Sequence, residues 1–159
     1  MELHRLFAAE DLIVGFDPKD KWDAIGQLVR HLVGRQAIAE ASAERVLEQV
    51  LARERSMSTG MERGIAIPHA AVDDVQKVTA CMGIVSRPGG LTFQSIDGQP
   101  ARLVVLLVIP KAQKLLHIRT LADVARVLSN EAIRNALIGA PSPREAWEAL
   151  SSGEAPTPR

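Results

Sequence analysis

The stretch Gly64-Ile65-Ala66-Ile67-Pro68-His69 is a short uncharged apolar run that ends at a proline and a histidine. A run of this length and composition is typical of a buried β-strand. Because proline lacks the amide proton that a sheet needs, we expect the strand to stop there and to hold His69 at a sheet edge. A neutral imidazole there could serve proton transfer, metal ligation or nucleophilic attack. Taken alone, however, the hexapeptide favours a histidine that merely ends a strand.

Length and composition predict a single domain. The chain has 159 residues, 47% of them hydrophobic, which is enough for one filled core and too few for two ordinary domains. Nineteen basic residues balance 19 acidic ones, and aromatic residues make up only 3%. The balance of charge and the few aromatics argue against nucleic-acid binding. The lone cysteine, Cys81, excludes an internal disulfide, and we expect a cytoplasmic protein without a signal segment or a membrane-inserted span.

Hydrophobic spacing predicts helices packed around one mixed sheet, an α/β fold. Besides the opening stretch, strands are expected at 12–16, 78–85, 91–96 and 102–109. Helices are expected from an Asp17 cap with Pro18 at the first turn to Gly34, and at 42–55, 113–128, 131–138 and 143–150. The continuously apolar run 102–109 predicts a central strand covered on both faces, and Asp97-Gly98 predicts a hairpin before it. We expect one domain over residues 1–150 and a flexible tail over 151–159.

A second histidine, His117, falls in the first turns of the helix predicted after the central strand. It precedes Leu121, Val124 and Leu128 at helical spacing, which puts it on the apolar stripe, where a histidine is more often a core residue than a ligand. A helix N-terminus, however, favours an anion and disfavours imidazolium. The position would therefore also suit a bound phosphoryl group.

Arg53 and Arg55 both flank the apolar stripe of the second predicted helix. Helical spacing hardly separates them, and either could be an ordinary solvated arginine. The polar segment Ser58-Thr59-Gly60 follows directly and leads to the strand that carries His69. Arginine, hydroxyls, backbone amides and two histidines are the groups that a phosphoryl pocket needs, although the sequence alone does not show that they converge.

Other chemistries have no matching motif in the sequence. There is no Cys-x-x-Cys or His-Glu-x-x-His pattern, and four scattered histidines with one cysteine do not form a metal site. Neither a Walker A loop nor a dinucleotide fingerprint is present, and Ser58 lacks the Gly-x-Ser-x-Gly frame of a serine hydrolase. We therefore expect neither a metal nor a cofactor.

Taken together, these motifs carry a family resemblance. In chain order they are Arg53-Glu54, Ser58-Thr59-Gly60, Gly64 to His69, Asp97-Gly98, Pro110, and His117 followed by Leu121-Ala122. Over about residues 3–150 the chain resembles the IIA component of the bacterial phosphoenolpyruvate-dependent phosphotransferase system (PTS), of the fructose, mannitol and nitrogen-regulatory type. The resemblance implies a single-domain, three-layer α/β/α fold of the mannitol type.

The resemblance also implies the chemistry. In that family the histidine at the position of His69 accepts a phosphoryl group, as a phosphohistidine intermediate, from the phosphocarrier HPr or its nitrogen-branch relative NPr. His117 and Arg53 correspond to the residues that stabilise the phosphoryl group, with Ser58, Thr59 and Gly64 in support. The loop 60–64 departs from the family's Gly-Ile-Gly-x-Gly pattern at Glu62, which we expect near the approach to the pocket, where it would affect donor recognition.

Three functions remain open at this stage. The favoured one is a nitrogen-regulatory IIA that acts on target proteins through its phosphorylation state, because no IIB or IIC domain is fused in this sequence. The alternative within the family is a free-standing sugar-specific IIA that passes its phosphoryl group to a separate IIB. A third is a binding module that keeps the fold and has lost transfer.

Overall fold

The computed structural model describes residues 2–154 and shows one mixed sheet between two layers of helices. The strands are β1 (Leu12–Phe16), β2 (Ile65–Ala66), β3 (His69–Val72), β4 (Thr79–Val85) and β5 (Leu103–Pro110). The helices are α1 (Lys21–Gly34), α2 (Ala43–Ser56), α3 (Lys114–Leu128), α4 (Glu131–Ile138) and α5 (Pro143–Glu154). The predicted α/β fold, a mixed sheet flanked by helices, is confirmed.

Strand β5 forms the centre of the sheet. It pairs antiparallel with β4 and parallel with both β2 and β3, while β1 lies parallel to β4 on its other side. Val104, Leu106 and Val108 of β5 pack in the core beneath α1 and α2. The alternate residues of β5, Leu103 and Leu107 among them, pack beneath α3, α4 and α5. Burial on both faces explains why this strand is continuously apolar.

The stretch that carries His69 is not one strand that ends at its proline, as its composition predicts. Strand β2 ends before Ile67, whose N–H instead donates to the Thr59 carbonyl at 3.1 Å. Pro68 has no N–H to give, but its carbonyl accepts from Leu107 N at 3.0 Å and keeps the chain beside β5. His69 therefore begins the second strand, β3, and lies at a break within the edge of the sheet.

The strand predicted over 91–96 is wrong, and so is the hairpin predicted from that strand through Asp97-Gly98 to β5. Leu91 forms only an isolated bridge with Ala101, and Gln94 has a φ of +51°, which lies outside the extended region of a strand. The Asp97-Gly98 turn does form, but it closes an irregular loop. This loop contacts the segment before β2 and forms part of the wall of the site described below.

Helix α1 begins later than the predicted Asp17 cap. Asp20 caps the helix instead, since its Oδ1 accepts from Asp23 N at 2.8 Å. Asp17 lies outside the helix and accepts from Arg87 Nε at 3.1 Å. The displaced start makes Lys21 the first helical residue, which brings its side chain into the protein interior.

Helix α5 extends past the predicted end of the domain. It continues to Glu154, so residues 151–154, which the sequence assigns to the flexible tail, are helical. The remaining residues of the predicted flexible tail, 155–159, lie outside the described residues. Within 2–154, no helix is both long and apolar enough to cross a bilayer.

Candidate active site

His69 is buried, and one of its ring nitrogens is already engaged. Its exposed fraction is 7%, and Nδ1 lies 2.8 Å from the Ile67 carbonyl oxygen. A carbonyl oxygen can only accept, so Nδ1 carries the proton in this hydrogen bond and Nε2 keeps the lone pair. The fold thus presents Nε2 as the nitrogen that is able to attack an electrophile.

The surroundings of His69 keep its ring neutral. Burial lowers its pKa below the ordinary value of 6.5, against the opposing effect of the hydrogen bond to Ile67. The nearby Arg53 and His117 lower the pKa further, and Glu54 raises it. At neutral pH the imidazole therefore has its lone pair available, as a nucleophile requires.

His117 faces His69 from the first turns of α3. The two ring centroids are 5.3 Å apart and the rings are nearly perpendicular, at 73°. Because α3 starts just after β5 ends at the same edge of the sheet, its N-terminal turn comes next to β3. The helix keeps the expected stripe, with Val124 and Leu128 in the core and half-buried His117 at the end nearer the site.

The structure separates the two arginines of α2. Arg53 lines the clefts that reach His69, and its Nη1 donates to the Met57 carbonyl at 2.8 Å. Arg55 points elsewhere and pairs with Glu48 at 2.6 Å on the exposed side of the helix. Of the pair that sequence spacing leaves open, Arg53 is the one that lies at the site.

Two clefts meet at His69 and Arg53. One of about 440 Å³ is bounded by the loop 57–61 together with Ile67 and Ile96. The other, of about 390 Å³, lies towards α2 and α3 and includes His117 in its lining. The buried histidine is thus open to a group that enters from the surface.

The supporting residues shape the loop before β2. The Ser58 hydroxyl donates to the Phe93 carbonyl, and the Thr59 hydroxyl donates to Glu54 Oε2 at 2.5 Å. Both hydroxyl protons are therefore committed to protein acceptors. Gly64 has a φ of +77°, a left-handed conformation that suits glycine, and its position is fully enclosed.

Glu62 does not lie in the clefts that contain His69. It is exposed and lines a separate cavity of about 260 Å³, beside Met61 and Arg63. The positive φ in this loop falls on Arg63, at 62°, and on Gly64, so a side chain at position 62 needs no left-handed backbone. This cavity shares Met61, Ile67 and Ile96 with the larger cleft, so Glu62 lies beside that cleft and does not line it.

Nothing in the sequence singles out Lys21, which lies behind the site. Its Nζ is 3.1 Å from Glu54 Oε1, and the two side chains are only 10% and 0% exposed. Lysine in the first turn of an amphipathic helix is normally exposed, and the partners are 33 residues apart. Only the tertiary fold brings this pair together.

Metal ligation has no support among residues 2–154. No group of three or more histidine, cysteine or acidic side chains there is arranged to hold an ion. Cys81 is fully buried in β4, and burial raises the pKa of its thiol well above the ordinary value. This thiol packs in the core, as its apolar setting predicts.

The sheet order, the two helix layers and the enclosed histidine pair define a class of single-domain α/β proteins, the IIA components of phosphotransferase systems. The family model described as "Phosphoenolpyruvate-dependent sugar phosphotransferase system, EIIA 2" matches residues 5–153, and the chain belongs to this family. Proteins of the family are phosphotransferase components.

Relatives of the chain carry both regulatory and transport names. It is 33% identical over 121 residues to a nitrogen regulatory protein of Bradyrhizobium diazoefficiens, covering 76% of this chain and 78% of the relative. It is 30% identical over 142 residues to a fructose-specific EIIABC component of Bacillus subtilis, covering 89% of this chain and 22% of that protein. Among solved structures, the nitrogen regulatory protein IIA-Ntr from Neisseria meningitidis superposes with a TM-score of 0.82 at 25% identity, over 93% of this chain and 98% of the other.

Proposed function

We propose that this protein is a cytoplasmic phosphoryl carrier that accepts a phosphoryl group on Nε2 of His69 from a phosphocarrier of the HPr or NPr type. The observation that carries the proposal is the setting of His69. It is buried and neutral, its Nδ1 is held by the Ile67 carbonyl, and Arg53 and His117 stand beside it. This is the arrangement that an in-line attack by Nε2 requires.

In the proposed transfer, the Nε2 lone pair of His69 attacks phosphorus while the bond between phosphorus and the donor's imidazole nitrogen breaks. The leaving imidazole keeps the electron pair of that bond. Arg53 and His117 donate N–H groups to the phosphoryl oxygens as charge accumulates there. A donor that is itself a phosphohistidine has a similar transfer energy, so the step needs neither a metal nor a nucleotide.

The surface around the site suits a protein donor. Four large apolar side chains are strongly exposed there: Met57 at 70%, Ile96 at 71%, Leu115 at 78% and Ile118 at 68%. Met57 and Ile96 line the larger cleft, and the other two lie in the first turns of α3, close to His117 in the sequence. Exposed apolar groups around a polar site are typical of a docking surface for another protein. PTS IIA components act with phosphocarriers and IIB domains, and this surface would serve both.

Within this role we favour the nitrogen-regulatory branch, in which the phosphorylation state decides which target protein is bound. The support is the 33% identity to a nitrogen regulatory protein that this chain matches over most of its length, and the likeness to IIA-Ntr. The similarity to a fructose EIIABC component keeps a sugar-specific IIA as the second candidate. A non-transferring binding module is disfavoured by the enclosed set of Arg53, His69 and His117.

The test is phosphorylation by purified enzyme I, a phosphocarrier and phosphoenolpyruvate. The wild type should gain one acid-labile phosphoryl group, and His69→Ala should gain none. His117→Ala should fold but accept the group about a hundredfold more slowly, because it removes an oxygen donor rather than the nucleophile. A labelled His69→Ala would refute the site, and an unlabelled wild type would favour the binding module. Rapid discharge of the labelled protein to a IIB domain would favour the sugar-specific role.

A further inference from the structure

Lys21 and Glu54 form a buried ion pair that has no direct part in the proposed phosphoryl transfer. Glu54 is fully satisfied. Its Oε1 accepts from Lys21 Nζ at 3.1 Å, and its two oxygens accept from Thr59 N at 3.1 and 3.2 Å. Lys21 Nζ also donates to Gln94 Oε1 at 3.2 Å and lies 5.7 Å from the centroid of the Phe93 ring. The pair therefore joins three segments: the start of α1, the end of α2 and the loop around residue 94.

From Glu54 a continuous set of hydrogen bonds reaches the nucleophile. Thr59 donates to Glu54 through both its N–H and its hydroxyl. The Thr59 carbonyl accepts from Ile67 N at 3.1 Å, and the Ile67 carbonyl accepts from His69 Nδ1 at 2.8 Å. Thus Ile67, the residue whose carbonyl selects the tautomer of His69, is tied through Thr59 to the buried carboxylate.

We propose that Lys21 and Glu54 are positioning residues for His69: through Thr59 and Ile67, their ion pair fixes the carbonyl that holds Nδ1–H and leaves Nε2 free. Neither side chain contacts the incoming phosphoryl group. They act by holding the loop 58–60 against β2 at the break in the edge strand, where no regular ladder does so. Lys21 also balances the negative charge of Glu54, which would otherwise face an incoming anion.

Energetics favours a positioning role over a contribution to stability alone. A buried ion pair is often no more stabilising than apolar side chains of similar size, whereas removal of one partner leaves an uncompensated buried charge. A pair kept solely for stability would therefore be easily replaced by an apolar one. The hydrogen bonds from this pair run towards His69, which supplies a reason to keep the charges.

Two measurements on full-length variants test the proposal. Long-range ¹H–¹⁵N NMR correlations report the tautomer of His69 in the unphosphorylated protein, and single-turnover kinetics with phosphorylated phosphocarrier report its transfer rate. Lys21→Met and Glu54→Gln should each yield a mixture of tautomers and lower the saturated transfer rate about tenfold, a factor that corresponds to about 1.4 kcal/mol. The carrier concentration that gives half of the saturated rate should stay unchanged, because neither residue lies on the apolar docking surface. The double variant Lys21→Met/Glu54→Gln should recover part of the rate, since no charge is left unpaired.

Asp11→Asn is the matched control. Asp11 accepts from His31 Nε2 at 2.9 Å and from Arg35 Nε at 3.1 Å, a partly buried cluster at the other end of α1. Its loss should lower the Tm but leave the tautomer and the transfer rate unchanged.

Single variants of Lys21 and Glu54 that fold with the wild-type tautomer and rate would overturn the proposal. If they do not fold, Thr59→Val decides: it removes the hydroxyl bond to Glu54 and keeps the N–H bond, so it should shift the tautomer partway towards a mixture. An unchanged tautomer would again refute the positioning role. The rate comparison rests on the proposed function, but the tautomer does not. A wild type that accepts no phosphoryl group would refute the proposed function and leave the positioning test intact.

Discussion

At the scale of single residues, the two ring nitrogens of His69 have different surroundings. The Ile67 carbonyl engages Nδ1, and burial keeps the ring neutral by lowering its pKa. Arg53 and His117 contribute to the lowering, and they are also the groups proposed to stabilise a phosphoryl oxygen. A single arrangement therefore prepares the nucleophile and its electrostatic support together.

The pH dependence of transfer should reflect this pKa. Because protonation of His69 removes the lone pair, the single-turnover rate should rise with pH as the ring loses its proton. The lowered pKa puts the midpoint below 6.5, so most of the rise should be complete by neutral pH. Stopped-flow measurement with a pre-phosphorylated carrier gives the profile, and an NMR titration of the His69 ring gives the pKa independently. A midpoint at or above 6.5 would contradict the proposed neutral, buried nucleophile.

The neighbouring arginines give a matched pair of substitutions. Arg53→Lys keeps the charge but loses the planar fork, and should slow transfer about tenfold or more, as expected for loss of a guanidinium donor to phosphoryl oxygens. Arg55→Lys alters an exposed residue of the same helix that pairs with Glu48, and should leave the rate unchanged. Equal effects of the two substitutions on the transfer rate would contradict the role proposed for Arg53 in the site.

At the scale of secondary structure, the site lies where the edge strand is interrupted between β2 and β3. Strands β2 and β3 both pair with β5, yet between them Ile67 turns its N–H to Thr59 and its carbonyl to His69. Because Pro68 directs its carbonyl to Leu107 of β5, the preceding residue Ile67 directs its N–H and carbonyl away from β5. The Ile67 carbonyl is thus available to orient the histidine, and Pro68 interrupts the ladder because it has no N–H.

A substitution at Gly64 tests the backbone geometry of the segment before β2. Its φ is +77°, and a Cβ there would lie 3.4 Å from the Pro100 carbonyl oxygen. Gly64→Ala should therefore lower the free energy of unfolding by about 1–3 kcal/mol and slow transfer by disturbing β2. Gly34→Ala is the control, because a Cβ in that place meets nothing within 4 Å, and it should be neutral or slightly stabilising. Urea unfolding measures both, and equal stabilities would contradict the strain assigned to Gly64.

Sequence patterns predict the regular elements better than the irregular ones. The apolar run of β5 predicts its central place, and hydrophobic spacing predicts α4 at 131–138, as observed. The break at Ile67 and the loop over 91–96 could not be predicted in this way, because their hydrogen bonds are to distant segments. The Lys21–Glu54 pair is hidden for the same reason: its two residue types are ordinary surface residues until the fold brings them together.

At the scale of the whole molecule, the two ends of the described chain pack against each other on the side of the sheet covered by α3 to α5. Trp147 of α5 donates its Nε1–H to the carbonyls of His4 and Phe7, both at 3.0 Å. Its ring also meets the His4 ring edge-on, at 5.7 Å between centroids. This contact ties the N-terminal segment to α5 at a place that does not line the clefts at His69.

Trp147→Phe should therefore separate stability from transfer. It removes the indole N–H that donates to the carbonyls of His4 and Phe7, and it should lower the free energy of unfolding by about 1–2 kcal/mol. The rate of phosphoryl acceptance at 25 °C should stay at the wild-type value, since the site is built from α2, β3 and α3. Thermal unfolding and transfer kinetics on the same sample give both values. A large loss of rate in a folded variant would show that this contact reaches the site.

The central claim is that Nε2 of His69 carries the phosphoryl group. The most direct measurement is ¹⁵N NMR of the histidine-labelled protein after phosphorylation, in which coupling to ³¹P identifies the bonded nitrogen. We predict that the coupling appears on Nε2 of His69 while Nδ1 keeps its proton. Coupling on Nδ1, on His117, or in the His69→Ala variant would contradict the account.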